Sequence, residues 1–288
     1  MFRPCPSWSR PPADPWLEAR TLPVPDKEPP IESLDDVSTP QSFTCCGVRI
    51  HALGPAQAAA AVLDRVGRPS AVHLCNAYTL SLALRDADYR RIVDAGDLNF
   101  ADGFPVAAVG RRRGHPSMTR RVYGPDLFLD VLREGVGRRT RHYLYGSTQA
   151  VLDLMKERLP RLVPGVQIVG AEAPPFRPLT PAEQAAVGER VRDAAADIVW
   201  VGLGTPKQDS FVADMRDALG VPLVAVGAAF DFVAETKPMA PAWMQRTGLE
   251  WLFRLATEPR RLWKRYLVGN TVFLWGVLSD ELRLRRRP

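Results

Sequence analysis

The run Asp197-Ile-Val-Trp-Val-Gly202, the turn Leu203-Gly-Thr-Pro-Lys207 and the helical pattern Gln208–Leu219 decide the fold. Ile198 to Val201 are apolar without a break, which reads as a strand covered on both faces; a strand with one wet face would alternate. A second apolar run, Leu223–Val226, follows the helix. Strand, helix, strand in that order makes a parallel crossover unit. Working outward, the same grammar recurs. Ser70–Cys75 reads as a strand before the helical segment Ala77–Arg85. Leu98-Asn-Phe-Ala101 is a strand ending at Asp102-Gly103, and His142–Tyr145 is one ending at Gly146-Ser147, with a helix over Gln149–Arg158. Val166–Ala171 is a further strand, and Pro181–Ala195 a helix with Thr180 as N-cap and Pro181 at its first position. The expected class is therefore α/β: a Rossmann-like, mostly parallel sheet with helices on both faces. No internal repeat is visible.

Such sheets bind ligands beyond the carboxyl ends of their strands. The residues there are Asn76, Asp102-Gly103, Gly146-Ser147, Gly202–Gln208 and Gly227–Asp231. Gly202-Leu-Gly204-Thr-Pro-Lys207-Gln208 sets two glycines, a hydroxyl and a lysine before a helix, where backbone amides attract anions. It has neither the Gly-Lys-Thr ending of a phosphate-binding P-loop nor a Gly-x-Gly-x-x-Gly dinucleotide fingerprint. An ordinary strand-to-helix turn explains it equally well. Asp102 beside Gly103 fits a general base approached closely by a ligand, the glycine free to take positive φ; a turn or capping aspartate is the plainer reading. Asn76 divides likewise between cap and site. His73 reads as a core histidine. The arginines at 111–113 and 120–121 read as a solvated face or as phosphate contacts.

The two ends of the chain differ from its middle. Ten prolines fall in the first forty residues, without apolar periodicity, so residues 1–42 read as a disordered arm and not as a signal peptide. From Arg254 to Pro288 nine Arg or Lys face three acids, a local excess equal to the +6 of the entire 288-residue chain. Aromatic and leucine residues interleave these cations. Leu262, Trp263, Tyr266 and Leu267 recur at helical spacing, so residues 248–288 are expected to form a basic amphipathic appendage to an α/β domain over 43–247, suited to an anionic, partly greasy partner. A chain ended at Thr257 is then expected to stay folded but to lose membrane binding. No stretch of eighteen apolar residues exists to span a bilayer. Cys5, Cys45, Cys46 and Cys75 lack metal-site spacing and read as reduced thiols of a cytoplasmic protein.

Taken in order, these motifs resemble the WecG/TagA/CpsF family of bacterial glycosyltransferases (glycosyltransferase family 26). The matching segments are Asn76-Ala77; Ala101-Asp-Gly103; Arg121-Val-Tyr-Gly124-Pro-Asp126; Gly202-Leu-Gly-Thr-Pro-Lys-Gln208-Asp; Gly227-Ala-Ala-Phe-Asp231; Ala240-Pro241; Trp243-Met-Gln245; Gly248-Leu-Glu-Trp-Leu-Phe-Arg254; and Glu258-Pro-Arg260-Arg. The resemblance implies an inverting enzyme that uses no cofactor or metal. It would move a sugar from a nucleotide-sugar, expected to be a UDP-sugar, to a polyprenyl-diphosphate-linked sugar at the inner face of the cell membrane. The products of the family are exopolysaccharide, capsule, teichoic acid or common antigen. By the same resemblance Asp102 is the catalytic base with Asn76 beside it. Gly103, Arg121, Gly204, Lys207, Gln208, Asp231, Arg254, Arg261 and Arg265 bind substrate. The missing Asp-x-Asp pair agrees with metal independence.

Leu74 replaces a threonine usual in the family, Ala228 a glycine, and Glu235 and Pro238-Met239 stand where a Lys-Arg pair is common. A non-catalytic sugar-nucleotide binder or scaffold is the alternative these departures favour; intact Asp102, Lys207, Gln208 and Arg254 oppose it. A nicotinamide oxidoreductase lacks its fingerprint, and nucleic-acid binding lacks any motif. A homo-oligomer is left open.

Overall fold

A computed structural model of the protein describes residues 40–285. Most of the proline-rich arm, Cys5, Arg286 and Arg287 lie outside the described residues.

Eight strands form one sheet: β1 (Ser42–Cys45), β2 (Val48–His51), β3 (Ser70–Cys75), β4 (Leu98–Ala101), β5 (Arg141–Gly146), β6 (Gln167–Glu172), β7 (Ile198–Gly202) and β8 (Pro222–Ala225). Their spatial order is β1-β2-β4-β3-β8-β7-β5-β6. Every pairing is parallel except β1 with β2. The continuous apolar runs behave as their composition requires: β3, β4 and β8 are buried at every position.

The helices are α1 (Pro55–Leu63), α2 (Ala77–Arg85), α3 (Ala87–Asp94), α4 (Phe104–Arg112), α5 (Gly124–Gly137), α6 (Gln149–Leu162), α7 (Pro181–Asp193), α8 (Lys207–Leu219), α9 (Ala229–Val233), α10 (Ala242–Thr247), α11 (Glu250–Thr257) and α12 (Pro259–Arg285). Steps toward the β1 edge carry α2, α3, α7 and α8, and α8 packs on both α3 and α7. Steps the other way carry α1, α5 and α6; α1 packs on α5, and α9 bridges α5 and α6. Right-handed crossovers put these two sets on opposite faces. The chain leaves the neighbours β3 and β4 in opposite directions, β3 toward β4 and β4 toward the distant β5. A crevice between their carboxyl ends follows from that divergence.

Local chemistry sets the boundaries. Thr180 caps α7 as expected: its hydroxyl accepts from the Glu183 amide at 3.3 Å, and the Glu183 carboxylate accepts from the Thr180 amide at 2.8 Å. His73 is a core residue as read. Its Nδ1 lies 3.0 Å from Asp209 Oδ1, and the Tyr89 hydroxyl donates to Asp209 Oδ2 at 2.8 Å, so β3, α3 and α8 share one buried carboxylate. His142 is buried against Trp200, and burial pulls its imidazole down to about 4.

The C-terminal helix is bonded to the core. One face of α12 lies along α2, with Leu262, Gly269, Phe273 and Gly276 buried. Phe273 is 2% exposed and shares a cluster with Phe43, Val48, Ile50 and Leu80. Gly276 permits the approach, since a Cβ there would sit 2.9 Å from Cys46 Sγ. The Cys46 amide donates to Asp280 at 2.7 Å, and Arg113 pairs with Glu281 at 2.9 Å. Of the stripe read from sequence, Leu262 therefore faces inward and Tyr266 is half-buried; Trp263 and Leu267 face solvent with Leu274, Trp275 and Leu278.

This packing alters the outcome expected for a chain ended at Thr257, which would lose cohesion as well as its basic tail. Phe273→Ala is expected to cost about 3–5 kcal/mol, the toll of an emptied aromatic site. Chemical denaturation at fixed pH measures it; a loss below about 1 kcal/mol would place α12 outside the cooperative core.

Candidate active site

A cleft of about 140 Å³ opens over the carboxyl ends of β3 and β4. Its floor is Asn76, Asp102 and Gly103; its walls and roof include Tyr78, Arg121, Tyr123, Glu250, Trp251, Arg254, Arg265, Tyr266 and Asn270.

Asn76 is the first residue past β3 and the N-cap of α2. Its Oδ1 accepts from the Tyr78 amide at 3.0 Å and the Thr79 amide at 3.2 Å. These are donors that a helix start leaves unsatisfied. With the oxygen so fixed, the amide nitrogen turns to Asp102 and donates to Oδ2 at 3.2 Å. Asp102 Oδ1 accepts from the Gly124 amide, at the start of α5, at 3.1 Å. The carboxylate is thus held between two helix starts, oriented from both sides, and half-exposed. Gly103 does not use positive φ; its φ is −84°. It is needed for closeness, because a Cβ there would lie 3.1 Å from that of Asn76.

Arg121 pairs with Glu250, and its guanidinium stacks on the Tyr123 ring at 4.1 Å. The Tyr123 hydroxyl donates to the other Glu250 oxygen at 3.2 Å. Burial opposes the charge on Arg121, yet the carboxylates of Glu250 and Asp102 outweigh it and hold the guanidinium above its usual value. Arg254 and Arg265 differ. Arg254 lies over the Phe232 ring at 5.4 Å and Arg265 over Tyr78 at 4.5 Å. Neither forms an ion pair within 4.0 Å with any carboxylate among the described residues. Burial pulls the Arg265 guanidinium down, and its Nε has no hydrogen-bond partner among the described residues. Cations held this way are costly unless a ligand completes them.

The cleft gathers six of the expected residues: Asn76, Asp102, Gly103, Arg121, Arg254 and Arg265. The other five lie outside its lining. Gln208 is buried, and its Oε1 accepts from the Gly204 amide at 3.1 Å, so it braces the β7–α8 turn. Lys207 is exposed at that turn. Asp231 is bound by Lys237 at 2.7 Å. Arg261 pairs with Glu258 at 2.5 Å and points to solvent. Glu235 pairs with Arg158 on α6 and is likewise not part of the cleft. Sequence reasoning gave no site role to Glu250, Tyr123, Trp251 or Asn270, and it set Tyr266 in the membrane-facing stripe and not in the cleft. One signal was available: Glu250 is an acid inside the apolar run Leu249–Phe253, where only a paired acid can be buried.

The fold and the cleft define an α/β enzyme acting at a topological switch point. The model of the Glycosyl transferase WecG/TagA/CpsF family matches residues 43–287, and the chain belongs to that family. It is a glycosyltransferase. One relative, an N-acetylglucosaminyldiphosphoundecaprenol N-acetyl-beta-D-mannosaminyltransferase of Bacillus spizizenii, is 30% identical over 200 residues, 69% of this chain and 75% of the relative.

Asn76→Asp tests the double duty of that side chain. Aspartate caps a helix as well as asparagine does, so stability should change by less than about 1 kcal/mol. It also replaces the donor to Asp102 Oδ2 by an acceptor, so the base loses the hydrogen bond that aims it. Turnover should fall at least about 10²-fold. Denaturation and a transfer assay on the same preparation separate the two effects.

Proposed function

We propose that the protein moves an N-acetylhexosamine-type sugar from a nucleotide-sugar, UDP-linked, to a polyprenyl-diphosphate-linked sugar, in the assembly of a cell-surface polysaccharide. The observation that carries this reading is the pairing, in one cleft, of an oriented carboxylate with two arginines that have no acidic partner among the described residues. The substrate named for the Bacillus relative supports the acceptor class.

The chemistry follows from the groups present. The acceptor hydroxyl attacks the anomeric carbon of the donor while Asp102 takes its proton. The new glycosidic C–O bond forms as the bond from that carbon to the diphosphate oxygen breaks. A single displacement inverts the anomeric centre. The leaving diphosphate carries the developing charge, and Arg254 and Arg265 stabilise it. The Gly204–Lys207 turn offers a second anion-binding element toward the β7 side of the sheet. Fixed cations do the work that a metal would otherwise do, so transfer should need no divalent ion.

We further assign residues 43–247 to the catalytic floor and 248–288 to a roof that meets the membrane. Among the described residues no helix is long and apolar enough to cross a membrane. The outer face of α12 instead presents Trp263, Leu267, Leu274, Trp275 and Leu278 to solvent, with Arg260, Arg261 and Lys264 near its start. An aromatic and leucine face rimmed by cations suits the boundary of an anionic bilayer.

Two measurements test this reading. Purified protein is given UDP- and GDP-sugars with a short-chain lipid-diphosphate-linked N-acetylglucosamine acceptor, with and without chelator. Asp102→Asn should retain the fold and cut turnover by roughly 10²- to 10⁴-fold; turnover within a few-fold of wild type removes Asp102 from the mechanism. Replacing Leu274 and Trp275 together by Glu should weaken binding to anionic vesicles at least about tenfold, while transfer to the short-chain acceptor persists. Unchanged vesicle binding would refute the α12 docking face.

A further inference from the structure

Three arginines line the cleft, and only Arg121 is neutralised within it. The neutralising group comes from the roof. Glu250 opens α11, two residues after Gly248, whose φ of +78° ends α10. A Cβ at Gly248 would lie 2.7 Å from the Phe104 ring, so the turn sits directly on the start of α4. From there the Glu250 side chain, only 10% exposed, reaches down to Arg121 Nη2 with one oxygen and receives the Tyr123 hydroxyl on the other. Arg121 and Tyr123 precede α5, whose first amide holds Asp102. One buried carboxylate therefore joins the roof to the segment that aims the base.

We infer that Glu250 is a positioning residue that reserves Arg121 for this joint, so that the substrate diphosphate is met by Arg254 and Arg265. The inference rests on the diphosphate-transfer reading given above. Its physical content is a competition. A phosphate and the Glu250 carboxylate seek the same guanidinium hydrogens, and the internal carboxylate holds them in advance. With Glu250 in place, Arg121 stays locked against the Tyr123 ring and the α5 start stays set beneath Asp102. With the charge removed, Arg121 becomes a third free cation in the cleft. It then draws the diphosphate toward the floor, away from the in-line position.

The inference predicts opposite changes in two quantities, which a merely structural role would not give. Glu250→Gln keeps the size of the side chain and one acceptor oxygen, and removes the charge. In this protein inorganic pyrophosphate, measured by calorimetry, should bind about tenfold tighter, the worth of one added charge-assisted contact. Transfer to the short-chain acceptor should fall at least about tenfold through kcat. Adding Arg121→Ala should abolish the gain in pyrophosphate affinity. Glu250→Asp, with a shorter carboxylate that loosens the pair, should show a smaller gain in the same direction, and it decides the question where the Gln protein does not fold. Wild type that binds pyrophosphate, with variants that bind it no tighter, overturns the inference alone. A gain that survives Arg121→Ala also overturns it. No binding by wild type or variants removes the diphosphate reading and the inference with it.

Discussion

The burial of one face of α12 is the constraint on which the rest of this molecule depends. Gly269, Phe273 and Gly276 lie against α2 and the β1–β2 hairpin, and Leu262 is buried on the same side. That contact fixes the azimuth of the helix. Residues flanking that face, Arg265, Tyr266 and Asn270, are then carried over the cleft, and the opposite face is left apolar and wet. A helix of 27 residues, roughly 40 Å long at 1.5 Å per residue, thus serves three surroundings at once. The mixed periodicity of its sequence is the consequence.

The electrostatics of the cleft follow from how its floor is made. β3 and β4 end side by side, and a helix begins beyond each. Helix starts carry unsatisfied amides and partial positive charge. Asn76 answers the start of α2 and Asp102 answers that of α5, and the hydrogen bond between them makes the two answers interdependent. The roof compensates Arg121 with Glu250 and adds Arg254 and Arg265, which have no acidic partner among the described residues. Two of these three arginines rest on tyrosine rings, at 4.1 and 4.5 Å, which orient a planar cation without cancelling its charge.

Much of the fold was legible because buried parallel strands announce themselves. Short, mostly apolar runs between turn signals located β3, β4, β5, β6, β7 and β8 to within a residue or two. β1 and β2 escaped because each has four residues and half of β1 is exposed, so the apolar signal is only Phe43, Cys45, Val48 and Ile50 in alternation. Asn76 and Asp102 were legible because strand ends are where such folds place chemistry. Glu250 was not, since its partner Arg121 lies 129 residues earlier and nothing local joins them. The facing of α12 was misread for a related reason. Apolar residues occur on two sides of that helix, and periodicity alone does not say which side meets protein. Gly103 lines the cleft, but not through the positive φ expected of it: its conformation is ordinary, and the glycine leaves room for Asn76.

The β1 strand is the one antiparallel edge of the sheet, and its cover comes from far along the chain. Arg113 donates to the Thr44 carbonyl, and Asp280 accepts the Cys46 amide across 234 residues. Charged side chains occupying edge groups are a standard guard against strand addition by another molecule. Here the guard arrives last. During synthesis β1 emerges long before Asp280, which follows Cys46 by 234 residues. Until α12 docks, the hairpin edge and the apolar underside of the helix are both open to partners of the wrong kind. Changes that undock α12 therefore bare a strand edge and an apolar helix face together, and both invite aggregation.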